Sequence, residues 1–308
     1  MNRGNIAPAR PVPALSDLSV TEFLTLSRMG FLPHGLVVGA SVFEADTRGT
    51  AAKVDLLGAL FGGKPLIQQP PTGEVMALSE AVRAARSLAI QRLRAQAIQL
   101  QAEGVVGVRL HVEHHLWRGG HQVAKFVAIG TAVGFDREHG PLELVTAPSL
   151  RLADGSPFTS DLSGQDFVAL LRAGYRPVTV ASGTCVYQLN TAEMARYRGY
   201  NAEITEYTGA FFDAREAAMA RLQYDLFSTW PPGHPDAPVG IVGMTVSEEA
   251  HRPQMIGGRT FQLGQMGQNS SPVVEFTAVG TAIAPLAQGD PRRAAQTVKP
   301  LVVVPLDR

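Results

Sequence analysis

The chain has 308 residues, 45% of them hydrophobic and 18% charged, with Lys+Arg and Asp+Glu both at 27. That length suits about two globular domains, and a zero formal charge without a dense basic run disfavours binding to nucleic acid or anionic lipid, both of which need a cationic footprint. The lone cysteine, Cys185, excludes an intrachain disulfide and a Cys-based zinc site, and no apolar run is long enough for a membrane-spanning helix.

Residues 1–15 carry Arg3, Arg10 and three prolines and have no signal-peptide core, so a flexible start to a soluble, cytoplasmic protein is expected. Ser-Asp-Leu-Ser at 16–19 then predicts a short amphipathic helix capped by Ser16 or Ser19 and ending near Gly30, with Pro33 beyond it. Leu36–Phe43 reads as a strand. Val82, Ala85, Leu88, Ala89, Leu93, Ala97 and Leu100 fall near helical spacing and predict a long helix over 80–103. Strands follow at 105–113 and 123–134. The stretch 136–159 is rich in Gly, Pro, Asp and Ser, and its apolar Leu142–Val145 offers a short edge strand. A second series then begins: a helix opened by Ser160 or Ser163 and ending near Gly174, a strand over Val178–Tyr187, a helix over 214–227, strands at 239–247 and 273–284, and another apolar stretch at Pro300–Pro305.

The two series are related by blocks in fixed order. SDLSVTEFLTLSRMGF (16–31) matches SDLSGQDFVALLRAGY (160–175), and the same spacing of 144 carries Pro33 to Pro177 and Gly39 to Gly183. GVVGVRLHVEHH (104–115) matches GIVGMTVSEEAH (240–251) at 136, and KFVAIGTAVGF (125–135) matches EFTAVGTAIAP (275–285) at 150. Spacings that drift while block order holds are what duplication with loop insertions leaves. The expected fold class is α+β: two tandem sheet-plus-helix domains at 16–145 and 160–308, the second with a C-terminal strand, joined by a linker at 146–159. Gly107/Gly243 and Gly130/Gly280 recur inside strands, where glycine marks a bulge or a close backbone approach.

Ala84-Ala85-Arg86, Val105–Arg109, Gly130–Val133 and the glycine pair in Leu57–Lys64 resemble the YbjQ-like family, which carries the label "putative heavy-metal-binding domain". The second series keeps Ala214–Ala217, Val242-Gly243 and Gly280–Ala282 but lacks the double-glycine segment. The resemblance implies a small α+β domain that assembles through its sheets into a ring, typically a pentamer. It implies no assigned reaction.

The residues with metal-binding chemistry are His111, Glu113, His114 and His115, with His121 in the following turn. Strand alternation puts 111, 113 and 115 on one face, and imidazole with carboxylate suits zinc, copper or nickel. The repeat gives Glu249 and His251 as counterparts of Glu113 and His115, but Ser247 stands where His111 would recur. Gly58–Lys64 fits a phosphate loop up to Pro65, which replaces the magnesium-holding hydroxyl. Cys185 sits mid-strand and reads as a buried, inert thiol. Trp117 and Trp230 read as packing residues near loops. No nucleophile elbow is present, so no catalytic residue is expected. The function these observations suggest is a non-catalytic, ring-forming homo-oligomer that binds or assembles with an unknown ligand, other protein partners being open. The alternatives are a heavy-metal sensor, storage or resistance protein using the His/Glu cluster, and an enzyme with a site at a subunit interface.

Overall fold

The computed structural model describes residues 14–45, 53–55, 66–68, 72–116, 122–136, 149–189, 203–251 and 273–286. Ser19 caps helix α1 (Val20–Arg28): its side chain accepts from the Glu22 backbone N–H, and the Glu22 carboxylate accepts from the Ser19 backbone N–H in return. Strand β1 (Phe31–Ala45) follows, then two short paired strands, β2 (Lys53–Asp55) and β3 (Leu66–Gln68), and the two-residue β4 (Gly73–Glu74). Helix α2 (Met76–Gln99) leads into β5 (Gly104–Leu116) and β6 (Gln122–Phe135). The second half runs β7 (Phe158–Thr159), α3 (Gly164–Arg172), β8 (Tyr175–Gln188), α4 (Thr205–Thr229), β9 (Gly240–His251) and β10 (Val273–Pro285). Ser163 caps α3 as Ser19 caps α1.

Two four-stranded sheets result, ordered β1-β6-β5-β7 and β4-β8-β10-β9. Their three long strands share one antiparallel topology and one register. Gly39 lies opposite Ala128 and Gly183 opposite Ala278; His111 lies opposite Val127 and Ser247 opposite Thr277. These pairs reproduce the spacings of 144, 136 and 150 seen in the sequence. Gly107 and Gly243 take positive φ, +64° and +65°, where the β5–β6 and β9–β10 registers shift. A bulge in that conformation is the reason for glycine there.

Each long helix lies across its sheet on a stripe of small and apolar residues: Ala85, Ala89, Leu93 and Ala97 on α2, and Ala214, Ala218, Leu222 and Leu226 on α4. The contact is close enough to need glycine below it. A Cβ at Gly39 would stand 1.9 Å from the Ala89 carbonyl oxygen, and one at Gly183 would stand 2.0 Å from that of Ala218.

The halves also exchange short strands. β7, from the start of the second half, pairs parallel with β5 of the first, and β4, just before α2, pairs with β8 of the second. Around the first exchange Leu26, Phe31, Val106, Phe158, Leu162 and Phe167 form one buried cluster. In it Phe167 meets Phe31 edge-on at 5.1 Å and stacks on Phe158 at 5.5 Å.

Three expectations change. Helix α4 begins at Thr205 rather than near Ala214, because its first turns carry Thr, Tyr and Phe instead of the alanine stripe. Helix α2 runs from Met76 to Gln99, a few residues earlier than the apolar spacing suggests. The end of the 146–159 linker is structural, since Phe158 and Thr159 form β7. The apolar stretches Leu142–Val145 and Pro300–Pro305 and the loop Gly58–Lys64 lie outside the described residues. Gly39→Ala and Gly183→Ala should each lower unfolding stability by about 1–3 kcal/mol or more, read by chemical denaturation. Gly73→Ala, where a Cβ meets nothing within 4 Å, should be near neutral.

Candidate functional site

The expected metal-binding residues that the structure describes lie on strands of two different sheets. His111 is exposed on β5. Glu113, His114 and His115 continue that strand opposite Lys125, Ala124 and Val123. Glu249 and His251 lie on β9, opposite Glu275 and Val273. The side chains of these five residues, and all of His121, are outside the described residues. Among the described residues no group of three His, Cys, Asp or Glu side chains converges. Trp117 is outside them too, while Trp230 ends α4. Cys185 is fully buried, and burial, reinforced by Glu74, pushes its thiol up to about 12, so it is protonated and inert at neutral pH.

A different feature stands out when matched positions of the two halves are compared. In the second half, β8 and α3 are covered by the first half. In the first half, the equivalent surfaces of β1 and α1 are bare. Val186 is 1% exposed and its counterpart Val42 57%; Val168 is 2% exposed and its counterpart Leu24 48%. Leu15, Val20, Leu36 and Val38 are exposed apolar side chains on the same surfaces.

The covering surfaces show the reverse pattern. β5 is sealed by the segment that follows β7: Ser160 N–H donates to the Val105 carbonyl, Val108 N–H to the Ser160 carbonyl, and Gly107 N–H to the Leu162 carbonyl, at 2.9–3.1 Å. Val108 is accordingly 3% exposed, but its counterpart on β9, Met244, is 41% exposed, and Val239 and Val246 are exposed beside it. Phe212, Tyr224 and Phe227 on α4 are exposed as well. Among the described residues, the surfaces marked by Val186, Val168 and Val108 at the internal junction therefore have exposed equivalents at Val42, Leu24 and Met244. Sequence patterning missed these residues because apolar side chains on a strand or helix read as core. The signal was available in the aligned blocks, where apolar residues stand at matched positions in both series.

Each Ser-Asp-Leu-Ser segment is tied to the last long strand of its own half in the same way. The hydroxyl of Thr131 donates to the Asp17 carboxylate, and that of Thr281 to the Asp161 carboxylate. Arg109 adds an ion pair to Asp17 at 2.9 Å. Its counterpart is Thr245, so Asp161 has no equivalent cation. Burial raises the Asp161 carboxyl above the ordinary aspartate range, and the bond from Thr281 offsets this only in part.

Comparison with known proteins gives two results. Residues 65–136 match the family described as "Putative heavy-metal-binding" (YbjQ_1). The chain is also 34% identical over 297 residues to the encapsulin nanocompartment protein Rv1762c of Mycobacterium tuberculosis strain ATCC 25618 / H37Rv, an alignment covering 95% of this chain and 91% of that one. The chain belongs to the family of that protein. The relationship corrects the function expected from sequence. A protein related over nearly its whole length is an encapsulin nanocompartment protein, and this overturns the expected ring that binds or assembles with an unknown ligand and its heavy-metal alternative. The metal reading rested on a resemblance that the family match confines to 65–136 and on a strand end whose His111 is solvated. No helix among the described residues is long and apolar enough to cross a membrane.

A carboxyl raised in the native state binds its proton more tightly there than in the unfolded chain. Asp161 therefore costs stability as pH rises through the carboxylate range, in full above its native value, and costs nothing at pH below its unfolded value. Asp161→Asn keeps an acceptor for Thr281 and should raise the melting temperature by a few degrees at pH 7. Thermal scans should show that gain fading to nothing near pH 3.

Proposed function

We propose that this chain is a self-assembling component of an encapsulin nanocompartment. The relationship over 95% of the chain supports the compartment. The uncovered equivalents of the internal junction support self-assembly. In this reading residues 16–145 and 160–308 are tandem copies of one unit joined by 146–159. The second unit of one chain presents β9 and α4 to α1 and β1 of the next, as the first unit presents β5 and α2 to α3 and β8 within the chain. Such a contact is head-to-tail, so each chain uses two different surfaces and can add a neighbour at both ends. Large exposed apolar patches on soluble domains mark interaction surfaces, and long open strand edges need covering. The protein works in the cytoplasm in this reading.

Sedimentation and native mass spectrometry of the untagged full chain should give a discrete homo-oligomer. Leu24→Glu and Met244→Glu change exposed residues on the opposite surfaces. Each alone should dissociate the assembly while circular dichroism stays unchanged, and mixing the two variants should restore a dimer through the one intact contact. A monomeric wild type, or variants that assemble as wild type does, would overturn self-assembly. In gradient fractions of lysate from the native organism, an antibody to this chain should detect it with the fast-sedimenting compartment particles. Its absence from those fractions would overturn the compartment assignment.

A further inference from the structure

Helices α2 and α4 converge over β8, and between them lies a cleft of about 240 Å³. Its floor is the backbone and side chains of Thr179–Ser182. Leu222, Leu226 and Trp230 of α4 and Ile90 of α2 make apolar walls, while Arg83, Arg86 and Arg94 enter from α2. The carboxylate among the lining residues is Asp225, and it is engaged: Arg83 grips it with two hydrogen bonds, at 2.9 and 2.5 Å.

The other two guanidiniums are far from filled. Arg86 is 4% exposed. It donates to the Thr184 hydroxyl and lies over the Phe126 ring at 5.5 Å, and its buried Nε has no partner among the described residues. Arg94 donates from Nη2 to Thr179 at 2.7 Å and, at the limit of hydrogen bonding, to Thr159 at 3.5 Å, and its buried Nε is unpartnered too. A guanidinium carries five N–H donors, and buried donors left unmade are costly. Glu275 and Asp225 act on Arg86 only through space, as Asp154 does on Arg94. Burial pulls the Arg86 guanidinium down to about 10, which leaves it charged at neutral pH. The cleft thus joins positive charge that its one lining carboxylate does not balance, guanidinium donors that the described residues leave unmade, and an apolar wall ending in an indole.

We propose that this cleft binds a small organic oxyanion, a carboxylate or phosphate ester with a compact apolar body. The oxyanion sits against Arg94, and the apolar part lies against Leu226 and Trp230. The volume is below the ~300–1,000 Å³ of drug-sized pockets, which limits the occupant to a small molecule. The site lies within one chain and does not depend on assembly.

Isothermal titration of the full-length protein with benzoate, phenyl phosphate and inorganic phosphate tests this. At least one of the two aromatic probes should saturate at one site per chain, more tightly than inorganic phosphate, and should change the fluorescence of wild type but not of Trp230→Phe. Arg94→Gln should weaken binding at least tenfold. Ser87→Trp, which fills the cleft from an exposed position on α2 and leaves both arginines in place, should abolish it, with Arg151→Gln outside the cleft as an unchanged control. Melting curves of each variant separate lost binding from lost fold. No saturable binding by either aromatic probe, or binding unchanged in both Arg94→Gln and Ser87→Trp, would overturn the site and leave two arginines solvated by water.

Discussion

Unpaired backbone at sheet edges is the constraint on which this structure depends. Three long antiparallel strands per sheet leave two edges each, and buried or exposed edges must be paired, covered or blunted. Within the chain, β7 covers the edge of β5 and β4 covers the edge of β8. The outer edges of β1 and β9 have no partner strand among the described residues. The two covered edges make the halves one body; the two uncovered ones are flanked by Leu36, Val38 and Val42 and by Met244 and Val246. Internal cohesion and outward association are then the same contact, made once inside the chain and left open at its ends.

That contact also creates the cleft. To bring β4 onto β8, α2 must pass over the second sheet while still packing on the first. Val180 of β8 accordingly joins the core beneath α2. Arg86 crosses to Thr184, Arg94 reaches Thr179, and Arg221 of α4 returns to Glu74 at 2.5 Å. Long cationic side chains can bridge two units where their alkyl stems lie on apolar surface. Here they do so with more donors than the protein has acceptors to fill.

Much of the fold was legible in the sequence because its signals are local. Serine caps at 19 and 163, glycine bulges at 107 and 243, and alanine stripes on the long helices all act within a few residues. The drifting spacings 144, 136 and 150 could be read as block matches and reappear as strand register. What was not legible is which apolar surface faces a neighbour. Leu24 and Val168, or Val42 and Val186, have the same character in sequence, and only the covering half distinguishes them. The strand exchanges were hidden for a related reason. Gly73-Glu74 and Phe158-Thr159 are too short to show a period, and their strand conformation is imposed by the edge they meet. The His/Glu run was conspicuous by residue type, yet among the described residues no three such side chains converge. The cleft arginines of α2 were not singled out as site residues, since sequence alone does not place a second sheet beside them.

The paired strand exchanges have a consequence for how the molecule can be divided. β4 leaves the first half to complete the second, and β7 leaves the second to complete the first. A cut in the 146–159 linker would therefore separate the covalent chain but not the fold, because each fragment would still hold a piece of its neighbour's sheet. Expressed alone, either fragment would carry both a stray strand and a naked edge that match those of the other. The gene can be halved on paper at the linker, but the smallest self-sufficient unit of this protein is the pair.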